Sequence, residues 1–153
     1  MEIRQFTLPD EVAVVRLWER CELTRPWNDP RKDIRRKLAV RPDLFLVGEV
    51  EGELVGTVMI GYEGHRGWIN YLAVDPEYQR RGLGRALMVE AERLLRQEGC
   101  PKINLKVRAT NQAVIAFYQR LGYADDEVVS FGKRLVQDDP KHTEPGAAAD
   151  GGA

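Results

Sequence analysis

The segment Leu72-Ala73-Val74-Asp75-Pro76-Glu77-Tyr78-Gln79-Arg80-Arg81-Gly82-Leu83-Gly84-Arg85-Ala86-Leu87 constrains this chain more than any other. It reads as a buried strand, a turn marked by proline, and glycines that open a helix. Such a junction directs unpaired backbone N–H groups and the positive end of a helix at one point, and a phosphate or pyrophosphate is the natural occupant. Glycine also lets the backbone approach an anion closely, because no Cβ intervenes. Two common phosphate motifs are excluded: no Gly-x4-Gly-Lys-Ser/Thr run exists, and Leu87 stands where the dinucleotide fingerprint needs a third Gly or Ala. Arg80, Arg81 and Arg85 crowd the helix start, an arrangement easier to explain if an anion binds there. The plain alternatives are that each arginine is a solvated surface charge and that Gly-x-Gly marks only a turn.

The rest of the pattern places this junction in an α/β domain. A short strand is expected over residues 3–6, then a helix opened by Pro9-Asp10 with apolar Val12, Val15, Leu17 and Trp18. Pro26 and Pro30 break it, and a more polar helix is expected over 31–40. Leu44-Phe45-Leu46-Val47 starts a strand, Glu51-Gly52-Glu53 turns it, and 54–62 returns. After the turn Gly64-His65-Arg66-Gly67 a third long strand covers 68–74. The helix over 83–98 has an apolar face of Leu83, Leu87, Ala91, Leu94 and Leu95, and Gly99 closes it. Ile103, Leu105 and Val107 alternate with polar neighbours, so a strand is expected over 102–107. A helix from Asn111 ends at Gly122, and one or two final strands are expected to end near Val136. Residues 137–153, rich in Asp, Pro, Ala and Gly, are expected to be a disordered tail after a domain spanning 1–136.

Composition narrows the partners. A 43% apolar share can fill one core, and a net charge of −1 gives no electrostatic case for nucleic acid. Apolar runs fall far short of the ~20 residues of a membrane span, and Met1-Glu2-Ile3-Arg4 opens no signal segment. Cys21 and Cys100 have no metal-ligand spacing, and His65 and His142 lie far apart, so no metal is expected. Two reduced thiols suit a cytoplasm.

The glycine signature Gln79-x-x-Gly82-x-Gly84, the preceding Val74-Asp75-Pro76-Glu77-Tyr78, and Asn111-x-x-Val114-Ile115-x-Phe117-Tyr118-x-x-x-Gly122-Tyr123 together resemble the GNAT N-acetyltransferases. Val114 stands where Ala is usual in that family. A closer likeness, to bacterial YpeA-type acetyltransferases, is carried by Leu17-Trp18-Glu19-Arg20-Cys21, Arg25-Pro26-Trp27-Asn28-Asp29-Pro30, Gly64-His65-Arg66-Gly67 and Gly132-Lys133-Arg134-Leu135. The resemblance implies a mixed, mostly antiparallel twisted sheet with flanking helices. Its fourth and fifth strands splay apart to admit acyl-CoA. It further implies that backbone groups of Leu72 and Val74 pair with the pantetheine arm like an added strand. Amides of Arg80, Arg81, Gly82, Leu83, Gly84 and Arg85 would cradle the pyrophosphate, Ala73 and Gln79 belong to the same cofactor site, and Asn111 would contact the pantetheine. Tyr118 would protonate the leaving thiolate, and the Leu72 N–H would steady the oxyanion.

Asn111 and Tyr118 are seven residues apart, nearly two helical turns, so they share a face. Their plain readings are a helix cap and a core aromatic. The base is not legible. The start of the fourth strand, Trp68-Ile69-Asn70-Tyr71, has no carboxylate. Lys106 stands where the similar ribosomal-protein acetyltransferases carry glutamate, which weakens a peptide N-terminal assignment. Glu49, Glu63 and His65 remain candidates through water. Trp27 and Asp29 are expected to recognise the acceptor as an aromatic wall and an anionic partner for a cationic amine. The function implied is acetyl transfer from acetyl-CoA to a primary amine of a small molecule or a protein, with a homodimer left open. The rival is an acyl-CoA-binding module without catalysis.

Overall fold

The computed structural model describes residues 1–138. Its chain forms two compact units, one of residues 1–24 and 30–105, the other of residues 25–29 and those from Lys106 onward.

The first unit is a five-stranded sheet in the order β1-β2-β3-β4-β5: Glu2–Gln5, Phe45–Val50, Glu53–Tyr62, Gly67–Val74 and Ile103–Leu105. All pairings are antiparallel except β4 with β5. The tight turn between β2 and β3 uses Glu51 and Gly52, both at positive φ (51° and 80°), the geometry that matches strand twist. Helix α1 (Glu11–Arg20) buries Val14, Val15, Leu17 and Trp18, one face of a 3.6-residue period. Helix α2 (Pro30–Ala39) starts on a proline, whose missing N–H costs nothing there, and buries Ile34 and Lys37. Burial lowers the pKa of the Lys37 ammonium, which donates to the Ile60 carbonyl at 2.5 Å. The core beneath these helices stacks Phe6 on Phe45 at 4.6 Å and Trp18 on Tyr71 at 3.8 Å between ring centroids.

Helix α3 (Leu83–Gln97) buries Leu87, Met88, Ala91 and Leu95 and packs on β3 and β4. Gly56 permits that approach, since a Cβ there would lie 2.9 Å from Leu87 Cδ1 and 3.2 Å from the Ala73 carbonyl.

The sheet is irregular where β4 leaves β5. β5 pairs only with Gly67, Trp68 and Ile69. Opposite β3 the register passes from Asn70–Met59 to Ala73–Thr57, so Tyr71 and Leu72 both face Val58 in a β-bulge. Tyr71 sits at φ 50°, a left-handed conformation that costs a bulky residue ~1–2 kcal/mol. The expected strand over 102–107 is therefore shortened to Ile103–Leu105. A parallel ladder cannot follow an edge that bends away at the bulge, and past Ile69 no described strand pairs with β4 on that side.

The second unit holds helix α4 (Gln112–Arg120) and a turn in which the Asn28 amide donates to the Arg25 carbonyl at 3.1 Å. The strands expected to end near Val136 are not found, as residues 123–138 contain no strand. Val128, Val129 and Phe131 are β-prone but 77%, 78% and 90% exposed. Such residues form strand only where a neighbour takes their N–H and C=O groups. Of the expected tail, Gln137 and Asp138 are described, and the remainder lies outside the described residues. Asp138 is buried, and its carboxylate accepts the Asp29 amide at 3.1 Å.

Candidate active site

The predicted cofactor residues between Leu72 and Arg85 all lie in the first unit, along a segment built by three devices; Ala73 among them is buried in the core and paired with Thr57 of β3. The first is the end of β4. The Asp75 amide donates to the Val55 carbonyl at 2.8 Å, toward β3. Val74, one residue earlier, therefore turns its own polar backbone the other way. Its carbonyl accepts from Gln79 Nε2 at 3.0 Å and from the Cys21 thiol at 3.3 Å. Burial pushes the Cys21 thiol pKa up, so Cys21 remains a neutral donor.

The second device is the turn. Asp75 caps the short 3-10 turn Pro76–Tyr78 by accepting the Glu77 amide at 3.0 Å. Its other oxygen takes Arg20 from α1 at 2.6 Å. Arg81 lies over the Tyr78 ring, 5.0 Å from its centroid, so this arginine packs on the turn. Arg80 and Arg85 are exposed, and among the described residues neither makes an ion pair.

The third device is the helix start. Gly82 is the N-cap of α3 at φ 78°, and no side chain caps it. The first helical bond runs from the Ala86 amide to the Gly82 carbonyl at 3.0 Å. The amides of Leu83, Gly84 and Arg85 thus have no acceptor within the helix, and they lie at its positive end. A Cβ on Gly82 would meet nothing within 4 Å. Glycine is required here for the backbone conformation, and the space above it is open.

Four further candidates lie in the second unit. Asn111 caps α4, its Oδ1 accepting from the Val114 amide at 3.3 Å. Tyr118 is buried, with its ring set edge-on to Phe117 and Tyr123 at 5.0 and 5.7 Å. Desolvation pushes its phenol up to about 12, so it stays protonated at neutral pH. No described residue hydrogen-bonds its hydroxyl. Trp27 and Asp29 are half-buried in the turn before α2. The predicted residues thus fall into two groups, one in each unit.

The three water-mediated base candidates all have structural contacts. Glu49 pairs with Arg4 at 2.5 Å. Glu63 accepts from the Arg66 and His65 amides and from Trp68 Nε1, and the amide bonds, that from Arg66 first, hold its pKa low. Exposed His65 lies 3.4 Å from the Arg66 guanidinium through Nδ1. Among the described residues no group of three or more His, Cys, Asp or Glu is placed to hold a metal ion. No described helix is long and apolar enough to cross a membrane.

Sequence reasoning missed three contacts at this site: Gln79 with Val74, Arg20 with Asp75, and the Asp33 carboxylate with the Tyr71 hydroxyl at 2.6 Å. The last two join residues 55 and 38 positions apart, and no local spacing reports them.

Comparison with known proteins gives this geometry its context. Residues 12–123 match the family model described as "Acetyltransferase (GNAT) family". An acetyltransferase of Pectobacterium atrosepticum is 54% identical over 138 residues, covering 90% of this chain and 98% of the relative. The structure of Ard1 from Thermoplasma volcanium is similar at 28% identity and a TM-score of 0.70, covering 86% of this chain and 85% of that one. That of a ribosomal-protein-alanine N-acetyltransferase from Brucella melitensis is similar at 26% identity and a TM-score of 0.66, covering 80% and 83%. A family model that spans most of the domain and a relative alike over nearly its whole length lead to one conclusion: the chain belongs to the GNAT acetyltransferase family.

Proposed function

We propose that this protein is an acetyl-CoA-dependent N-acetyltransferase that moves an acetyl group to a primary amine by direct attack on the thioester. The observation that carries the reading is the uncapped start of α3, which follows β4 across the Pro76–Tyr78 turn, with Gly82 at φ 78° and three first-turn amides without helical acceptors. The pyrophosphate of acetyl-CoA binds these amides, aided by Arg80 and Arg85. The pantetheine arm adds to the outer edge of β4 at residues 72–74. Gln79 acts by holding the Val74 carbonyl in place.

Attack by a neutral amine creates an oxyanion, which the Leu72 N–H stabilises. The C–S bond then breaks, the CoA thiolate takes the proton of the Tyr118 hydroxyl, and the proton shed by the acetylated nitrogen passes to solvent water, from which the Tyr118 phenolate is reprotonated. A phenol near 12 is protonated throughout the working range, so Tyr118 is always in the donor form. Asn111 uses Oδ1 as a helix cap and keeps its amide NH2 for the pantetheine. Trp27 and Asp29 flank the acceptor. Residues 1–136 act as one catalytic domain, close to the YpeA-type enzymes, in a cytoplasm where both cysteines stay free thiols.

A second reading takes a peptide N-terminus as acceptor. It is favoured by the 26% identity to a protein named as a ribosomal-protein-alanine N-acetyltransferase, and Lys106 argues against it. The test is calorimetry with acetyl-CoA, followed by a thiol-release screen of small amines and peptide N-termini. The screen is then repeated with Asp29→Asn and Trp27→Ala. Binding of acetyl-CoA with turnover of an amine is expected, with KM raised in both variants. Absence of acetyl-CoA binding overturns the reading, and unchanged KM and kcat/KM place acceptor recognition elsewhere.

A further inference from the structure

The bulge in β4 is held by more than its own ladder. The Tyr71 ring stacks on Trp18 at 3.8 Å with an interplanar angle of 12°. Its hydroxyl donates to Asp33 Oδ2 at 2.6 Å. Its carbonyl accepts from the Thr57 hydroxyl at 2.8 Å, and Thr57 Oγ1 in turn accepts from Trp18 Nε1 at 2.9 Å. The contacts close on themselves: Trp18 touches both Tyr71 and Thr57, and Thr57 touches both Tyr71 and Trp18. Trp18 and Thr57 are fully buried. Arg36 holds the other Asp33 oxygen at 3.0 Å.

A non-glycine residue at positive φ persists only where its surroundings over-determine it. Relaxation of Tyr71 to the β region would remove the extra residue and slip the register. It would then turn the side chains and the outward backbone groups beyond the bulge to the other side. Those outward groups belong to Leu72 and Val74, where the ladder to β5 has already ended.

We infer that Asp33, Tyr71, Thr57 and Trp18 form a clamp of positioning residues that holds the β4 bulge in the conformation presenting the outer backbone edge of residues 72–74 to acyl-CoA. The inference rests on the acyl-CoA reading above. Asp33 contributes as a hydrogen-bond acceptor, so the amide oxygen of an asparagine should replace it and a methyl group should not.

The experiment uses the full chain and acetyl-CoA as the probe. Affinity is read by calorimetry, and amide hydrogen exchange is followed over residues 70–74. Tyr71→Phe keeps the ring and removes the donor, while Asp33→Ala removes the acceptor. Each should weaken acetyl-CoA binding about tenfold, the scale of a lost hydrogen bond to a charged group, and speed exchange over 70–74. The double variant should be no worse than either single change, and Asp33→Asn should restore most of the affinity. Wild-type affinity and protection in folded Tyr71→Phe would overturn the clamp. So would equal losses in Asp33→Asn and Asp33→Ala. Tyr71→Phe carries the test alone if Asp33→Ala does not fold. Failure of the wild-type protein to bind acetyl-CoA would instead overturn the acyl-CoA reading, and the purpose of the clamp with it.

Discussion

Gln79 donates its side-chain amide to the Val74 carbonyl, 3.0 Å away, across the turn that joins β4 to α3. The first residue of the glycine signature thus ties the strand end to the helix start. The backbone groups proposed to meet the pantetheine and those proposed to meet the pyrophosphate are held by one contact. Gln79→Met keeps the length and loses the donor. Because the bond is exposed, the melting temperature should barely move. Acetyl-CoA affinity should fall by a few-fold, in line with the ~0.5–1.5 kcal/mol of a neutral hydrogen bond. Calorimetry and a thermal melt on the same sample separate the two effects.

Gly82 adopts φ 78° with open space where a Cβ would be. Gly82→Ala should destabilise by ~1–2 kcal/mol through backbone strain alone, and Gly82→Val by more, because a β-branched residue tolerates positive φ least. Gly82→Asn should recover part of the loss, since Asn visits the left-handed region. Acetyl-CoA affinity should follow the same order. A calorimetric series in which Asn binds no better than Val would show that occupied space, and not conformation, sets the loss.

Tyr118→Phe preserves the edge-on packing against Phe117 and Tyr123 and removes the proton. Acetyl-CoA binding should be nearly unchanged while kcat falls ~10²–10⁴-fold, the usual worth of a general acid. With a phenol near 12, the wild-type rate should show no alkaline loss attributable to Tyr118 below about pH 11. A pH profile of single-turnover rates checks both statements. An unchanged rate in Tyr118→Phe would mean that water protonates the thiolate.

Arg4 joins Asp10 at 2.8 Å and Glu49 at 2.5 Å, tying the start of α1 to β1 and β2. The hydrogen bond from Arg4 lowers the Asp10 pKa below its ordinary value. Near the unfolded carboxyl pKa of ~3.9 the unfolded chain binds more protons than the folded one. The contribution is therefore present above that pH and is lost as pH falls through the lowered folded value. Both partners are partly solvated, so Arg4→Met should cost ~1 kcal/mol at pH 7 and less at pH 3, which lies below the unfolded carboxyl pKa. Urea melts at the two pH values give the difference.

The buried Asp138 carboxylate accepts the Asp29 amide, within the same unit as the proposed acceptor residues. A chain ending at Asp138 should melt as the full chain does, because the sequence beyond it has little apolar surface to bury. Asp138→Ala should melt several degrees lower, having left the Asp29 amide without its partner. Equal melting temperatures for all three proteins would remove the role given to Asp138.

Local chemistry made much of this protein legible before its fold was known. The 3.6-residue spacing of Leu87, Ala91 and Leu95, the turn at Glu51-Gly52 and the run from Val74 to Gly84 each depend on neighbours in sequence. Periodicity and the special conformations of glycine and proline therefore located α3, the β2–β3 hairpin and the glycine that opens α3. Asn111 was legible in the same way, as the residue three before the Val114 amide that it caps. Tertiary structure decided what two distant segments must agree on. Nothing near Tyr71 in sequence reveals a left-handed bulge, because the residues that hold it are Trp18, Asp33 and Thr57. The length of β5 was likewise set by the bend of β4. The β-prone residues near Val128 form no strand, since a strand exists only when a partner accepts its backbone hydrogen bonds. Those pairings are long-range, and their energies appear only once the chain has closed on itself.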